Sequence, residues 1–264
     1  MKKIIFSIFS LIALFTISAC SSNESDHKEM NHTHSSTSTV ADSTAKATFS
    51  YQDNVLKIQI VDEKNKPIKK FDIEHEKLLH LIIVSKDLSY FHHIHPTYKG
   101  NGVFTIDPEF PSDGTYKLYA DYVPTGGSKT VSSKELTVGN IENENVPLKT
   151  DTSLTKFVDG KEITLSFDHL MANMDSTMTF TIKDAKTKKD ITNLEPYLGA
   201  VGHVVAISKD TNTYLHVHPM NENSKGPKAE FMTTFSKSGF YKIWGQFKQG
   251  GEVFTVPFVI NVEK

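Results

Sequence analysis

"HLIIVSKDLSYFHHIHP" (80–96) and "HVVAISKDTNTYLHVHP" (203–219) have the same length and align without a gap. His80, His93, His95 and Pro96 fall on His203, His216, His218 and Pro219, and a Ser-Lys-Asp falls on a Ser-Lys-Asp, while most residues between have changed. Each stretch reads as a strand, a reversal at Ser-Lys-Asp and a second strand that ends at proline. Successive side chains on a strand point to opposite faces, so His93 and His95 share one face and Ile94 takes the other. If the hairpin loop has an even number of residues, His80 pairs with His93 or His95, and three imidazoles gather on one face. The same parity holds for His203, His216 and His218. His92 stands opposite Leu215 in the alignment and is expected on the other face. His75 has no counterpart in the second copy and reads as a surface-loop residue.

The repeat extends further. "GTYKLYADY" (114–122) matches "GFYKIWGQF" (239–247), and each is followed at similar distance by Gly-Gly. Around these segments run short stretches rich in β-branched and aromatic residues, separated by Gly, Pro, Asp or Asn. No long helical period occurs. Roughly seven strands per about 100 residues, repeated once, predicts an all-β chain of two tandem immunoglobulin-like β-sandwich domains. We place the first at residues 47–139, a linker at 140–150 and the second at 151–264.

The first residues set the compartment. Lys2 and Lys3 precede a short apolar run and then "ISAC", the pattern of a secretory signal at residues 1–19 rather than a membrane span. "ISAC" resembles the lipobox of bacterial lipoproteins, which implies that Cys20 is lipidated. The protein is then expected outside the cytoplasm, on a cell membrane or outer membrane by its lipid. Residues 20–46 carry almost nothing apolar and read as a disordered tether. They include His27, Met30, His32 and His34, a short tract of a kind that collects metal.

Cys20 is the only cysteine of 264 residues, which excludes internal disulfides, thiolate metal sites and cysteine nucleophiles. The net charge of -2 gives no reason to expect nucleic acid. No Ser-His-Asp arrangement or phosphate loop accompanies the histidines, so the chain reads as non-enzymatic.

Three neutral imidazoles bind zinc, copper or nickel, and imidazole sites favour Cu(II) in raw affinity, so copper is the expected ion, with zinc as the alternative. The candidate ligands are His80, His93 and His95 in the first domain and His203, His216 and His218 in the second, with Met220 and Met232 as soft donors suited to Cu(I). His169, Met171, Met174 and Met178 in "DHLMANMDSTM" form a secondary candidate group, at the end of the domain away from the triad. Methionine also fills core gaps, and that alternative stands beside the metal one.

"PYLGAVGHVVAISKDTNTYLHVHP" followed by "SGFYKIWGQFKQGGEVFTVPFVINV" resembles a family of secreted bacterial domains with "YLGA-x-GH" and "HVHP" segments. Its members often accompany copper or heavy-metal transport proteins. The resemblance spans about residues 177–262 and implies a metal role for His203, His216 and His218, with a transporter or metallochaperone as partner. The first domain departs from the pattern, with "HEKLLH" for "YLGAVGH" and "HHIHP" for "HVHP". Two further classes remain open: an adhesion or envelope-interaction module with structural histidines, and a mononuclear His₃ metal enzyme.

Overall fold

A computed structural model describes residues 45–140 and 147–264, all of whose regular elements are strands. The lipobox cysteine, the tether histidines and the middle of the linker lie outside the described residues. The first domain contains β1 (Lys46–Gln52), β2 (Val55–Val61), β3 (Phe71–Asp72), β4 (Leu79–Ser85), β5 (Phe91–Ile94), β6 (Thr97–Gly100), β7 (Val103–Ile106), β8 (Gly114–Pro124) and β9 (Thr130–Val138). The second contains β10 (Thr155–Val158), β11 (Lys161–Phe167), β12 (Asp175–Asp184), β13 (His203–Ser208), β14 (Tyr214–Val217), β15 (Lys228–Thr234), β16 (Gly239–Gln249) and β17 (Glu252–Val262).

Each domain is a two-sheet sandwich. In the first, β1-β2-β7-β6 faces a sheet in which β8 lies between β9 and β4, with β5 beyond β4 and β3 on the end of β8. In the second, β10-β11-β12-β15 faces β14-β13-β16-β17. Both domains carry the tyrosine corner of immunoglobulin-like sandwiches. Tyr116 Oη donates to Ser112 O at 2.8 Å, and Tyr241 Oη donates to Lys237 O at 3.0 Å. The fold is therefore two tandem immunoglobulin-like β-sandwiches, as the strand rhythm implies.

The strand burial shows how the two sandwiches meet. On β4 every side chain from Leu79 to Val84 is buried, although a sheet with one face in water would alternate. Leu81 and Ile83 point into the first domain's own core beside Leu118 and Phe104. Ile82 and Val84 point the other way, into a third apolar cluster with Leu88 and Tyr119 of the first domain and Val205, Ile207, Tyr214 and Trp244 of the second. The sheet β9-β8-β4-β5 thus packs face to face on β14-β13-β16-β17, giving four layers and three apolar cores within one compact unit.

This junction has internal two-fold character. In the repeat, Phe91 aligns with Tyr214 and Tyr119 with Trp244. Across the junction Phe91 stacks on Trp244 at 4.7 Å between ring centroids, and Tyr119 stacks on Tyr214 at 4.6 Å. Exchanging the two copies of the repeat turns one contact into the other, the rule of an isologous interface. Tyr119 Oη donates to Thr211 O at 2.7 Å, but the buried Tyr214 hydroxyl has no hydrogen-bond partner among the described residues. An unsatisfied buried hydroxyl costs about 1–3 kcal/mol. Tyr214→Phe, which installs the side chain of Phe91 at the equivalent place, is expected to raise stability by about 1 kcal/mol in denaturant melts.

Candidate metal centre at the domain junction

At one end of the junction the apolar cluster gives way to histidine. β4 pairs with β5 in the register Leu81↔Ile94 and Ile82↔His93, which sets His80 opposite His95 just beyond the strand end. Val204↔Val217 does the same for His203 and His218. His80, His93 and His203 are buried, and the side chains of His216 and Asp121 are only 2% and 3% exposed. Both triads face the junction, so they form one continuous cluster rather than two remote sites. His80 lies 5.4 Å from His216 and 6.1 Å from His203 between ring centroids.

The protons of this cluster can be placed from their partners. His80 pairs in register with Asp121 on β8, and His203 with Gln246 on β16; Asp121 and Gln246 are equivalent positions of the repeat. Each reaches over to the other domain's middle histidine. His216 Nδ1 lies 2.9 Å from Asp121 Oδ2, and His93 Nδ1 lies 2.7 Å from Gln246 Oε1, whose own Nε2 donates to Thr255 Oγ1 at 3.1 Å. Carboxylate and amide oxygens accept, so both rings carry their proton on Nδ1 and leave Nε2 a lone pair. His80 donates Nε2–H to Glu74 O at 2.9 Å, which leaves its Nδ1 a lone pair. That Nδ1 sits 3.0 Å from His93 Nε2 and 3.2 Å from His95 Nε2.

Two lone pairs therefore face each other between His80 and His93, with at most one proton, from His95, to share among three nitrogens. Nitrogen ligands of a tetrahedral ion at about 2.0–2.1 Å stand about 3.3 Å apart, close to the spacing here. Burial pushes the imidazolium of His93 well below its ordinary range and that of His95 down to about 3, and the neighbouring histidines reinforce both shifts. The rings are held neutral, the form that coordinates metal. The hydrogen bonds that His93 donates to Gln246 Oε1 and His80 donates to Glu74 O orient the rings as outer partners orient the ligands of metal sites.

The second copy repeats part of this arrangement. His203 Nδ1 faces His216 Nε2 at 3.3 Å, and His203 Nε2 lies 3.4 Å from Leu198 O. Burial again dominates, lowering His203 and His218 to about 2 and His216 well below its usual value. His218, however, is turned to other partners: Lys129 Nζ donates to its Nε2 at 3.0 Å, and its Nδ1 meets His75 Nε2. The first domain, the one that departs from the "HVHP" pattern, holds the closed triad.

His75 lies on the loop between β3 and β4, as the sequence reading has it, but half-buried against the second domain rather than free in solvent. Its ring stacks on His218 at 4.4 Å and meets His203 edge-on at 4.7 Å. As a single-copy residue it carries no repeat signal that could have revealed this. Asp121 and Gln246 were also missed, because a carboxylate and an amide do not look alike in an alignment. His92 lies on the far side of β5 from His93, as alternation requires, near Tyr90.

The methionines fall at different places in the second domain. Met220 follows the second triad but is 55% exposed, its backbone N–H donating to Glu230 O. Met232 sits on β15, in the sheet opposite the histidines, on the face turned away from core residues Phe231 and Ala229. Met178 is fully buried among the second domain's core residues, so it packs as filler. His169, Met171 and Met174 are exposed on the β11–β12 loop, which meets the end of β15 through Asn173 N–H to Phe235 O.

The sequence profile of the family described as Domain of unknown function (DUF8832) matches residues 36–139 and again residues 156–264. The chain belongs to this family. No curated protein matches it. Among solved structures, a two-domain fibronectin type III segment from chicken tenascin is similar at 13% identity, covering 82% of this chain and 98% of that one with a TM-score of 0.24. The chicken interferon gamma receptor alpha chain is 10% identical, with 85% and 100% coverage and a TM-score of 0.26. A tetra-tandem repeat from the extending region of a large adhesion protein is also 10% identical, with a TM-score of 0.26; 83% of this chain is covered, and it spans about half, 49%, of that chain.

Proposed function

We propose that this protein binds a transition-metal ion, divalent copper or zinc, at the junction of its sandwiches and sequesters or delivers it outside the cytoplasm. The observation that carries the reading is the pair of facing lone pairs on His80 Nδ1 and His93 Nε2, with His95 Nε2 beside them. An all-imidazole set suits Cu(II) and Zn(II). A transporter or metallochaperone is the class of partner such a role requires. Nothing in the reading calls for turnover of a substrate.

Titration of the full chain with Zn(II) or Cu(II) is expected to give a tight site that His80→Ala with His93→Ala abolishes, lowering affinity by at least about a hundredfold, as loss of two of three ligands should. Unchanged tight binding in that variant would remove the triad from the proposal. Anchoring through Cys20 is part of the same reading. Cys20→Ala is expected to shift the protein out of the membrane fraction, and its retention there would count against a lipid anchor.

A second reading is an adhesion or envelope-interaction module in which the histidines only fasten the two domains. The hydrogen bonds His93–Gln246 and His216–Asp121 across the junction favour it. It predicts that the His80/His93 variant loses stability while the parent takes up no metal at the junction.

A further inference from the structure

The loop between β3 and β4 carries Glu74 and His75 over to the second domain. His75 has φ 44° and Glu76 φ 65°, a left-handed turn that non-glycine residues adopt rarely. Paired backbone bonds of 2.9 Å between Glu74 and Lys77 close it. The turn directs His75 onto His218, and a carboxylate oxygen of Glu74 joins them, with all three ligand atoms within 4.8 Å of one another. These residues line a pocket of about 380 Å³ together with Ile73, Leu198, Gly199 and Glu222.

A cation is already drawn to these donors. Lys129 Nζ lies 3.0 Å from His218 Nε2, 3.5 Å from Glu74 Oε2 and 3.7 Å from Asp121 Oδ2. Two imidazoles and a carboxylate are a donor set for borderline divalent ions, and three protein ligands leave coordination positions free for water or a small ligand. Glu74, His75 and His218 are each partly exposed at the pocket, unlike buried His80 and His93. An ion held here exchanges with solvent, whereas one in the buried triad is retained.

We propose that Glu74, His75 and His218 form a second, solvent-open site for a divalent cation such as Zn(II), shared by the two domains, with Lys129 competing for the same donors. It is separate from the His80–His93–His95 triad and goes beyond the function proposed above.

The test is calorimetric titration of the full chain with Zn(II) alone, near neutral pH, where differences between variants cancel whatever the other histidines bind. Glu74→Gln with His75→Ala is expected to lose one equivalent relative to the parent. Combining it with His80→Ala and His93→Ala should lose one more. Lys129→Met, which removes a competing positive charge, should bind at this site about tenfold tighter. Parent stoichiometry in the Glu74/His75 variant overturns the proposal. So does a combined variant that loses no more than the triad variant alone. If the pocket variant misfolds, seen as altered Trp244 emission, Lys129→Met decides, and unchanged or weaker binding there overturns the site. A triad variant that titrates like the parent while the pocket variant loses its equivalent refutes the buried triad and leaves this site standing.

Discussion

Acid is expected to open the domain junction. In an unfolded chain histidine titrates near 6.5. In the folded protein burial, the largest cause in every case, lowers the values of His75, His80, His93, His95, His203, His216 and His218. For three of them the folded values are about 3 (His95) and about 2 (His203 and His218). Between those values and 6.5 the unfolded or opened state binds more protons, so stability is intact above about pH 6.5 and falls as the pH drops through the window. Each buried ring withdraws up to about 1.4 kcal/mol per pH unit, and His80, His93, His203 and His216 together about 5 kcal/mol. A whole domain has only about 5–15 kcal/mol to lose. Trp244, the sole tryptophan, reports the event directly, because it is 3% exposed and stacked on Phe91. Its emission should shift to the red cooperatively below about pH 6. A spectrum unchanged down to about pH 4 would show that these imidazoles are not held neutral.

The second large effect concerns the domains taken singly. The second sandwich has its own closed core around Phe180, Phe231 and Phe258. Expressed alone as residues 150–264 it should fold, but it would present Val205, Ile207, Tyr214 and Trp244 to water as one apolar face. The contacts Phe91–Trp244 and Tyr119–Tyr214 are related by exchange of the repeat, so two copies of the second domain can set Tyr214 of each against Trp244 of the other. The expected product is a symmetric dimer with a Kd of about 1 µM or lower, equivalent to about 8 kcal/mol. Ile207→Lys, a charge in the middle of that face, should return it to a monomer. Sedimentation that finds the unmodified domain monomeric at about 100 µM would contradict an isologous junction.

Much of this was legible in the sequence. Alternation and the matched hairpins specify the strands, the shared face of His93 and His95 and, for an even loop, His80 on that same face; the register that sets it opposite His95 comes from the structure. What the pattern states less openly is what covers a face. The unbroken apolar run of β4 is the signature of a strand buried on both sides, and its second cover is a sheet of the other repeat. Periodicity assigns residues to faces but does not say which faces meet, so the two triads read as separate sites. Met178 alternates with Phe180 and Ile182 and was readable as core. His75 was not readable, because only the left-handed turn of its loop carries it to His218.

The pairing of Asp121 with His216, against Gln246 with His93, has a consequence for how such a protein can change over time. In an assembly of two identical chains any substitution is made twice, and both middle histidines must accept the same neighbour. Once the halves are joined in one chain, each position mutates alone. A carboxylate then accepts from one imidazole while an amide accepts from the other, so the two halves can diverge in what surrounds each ring without surrendering the face that holds them together.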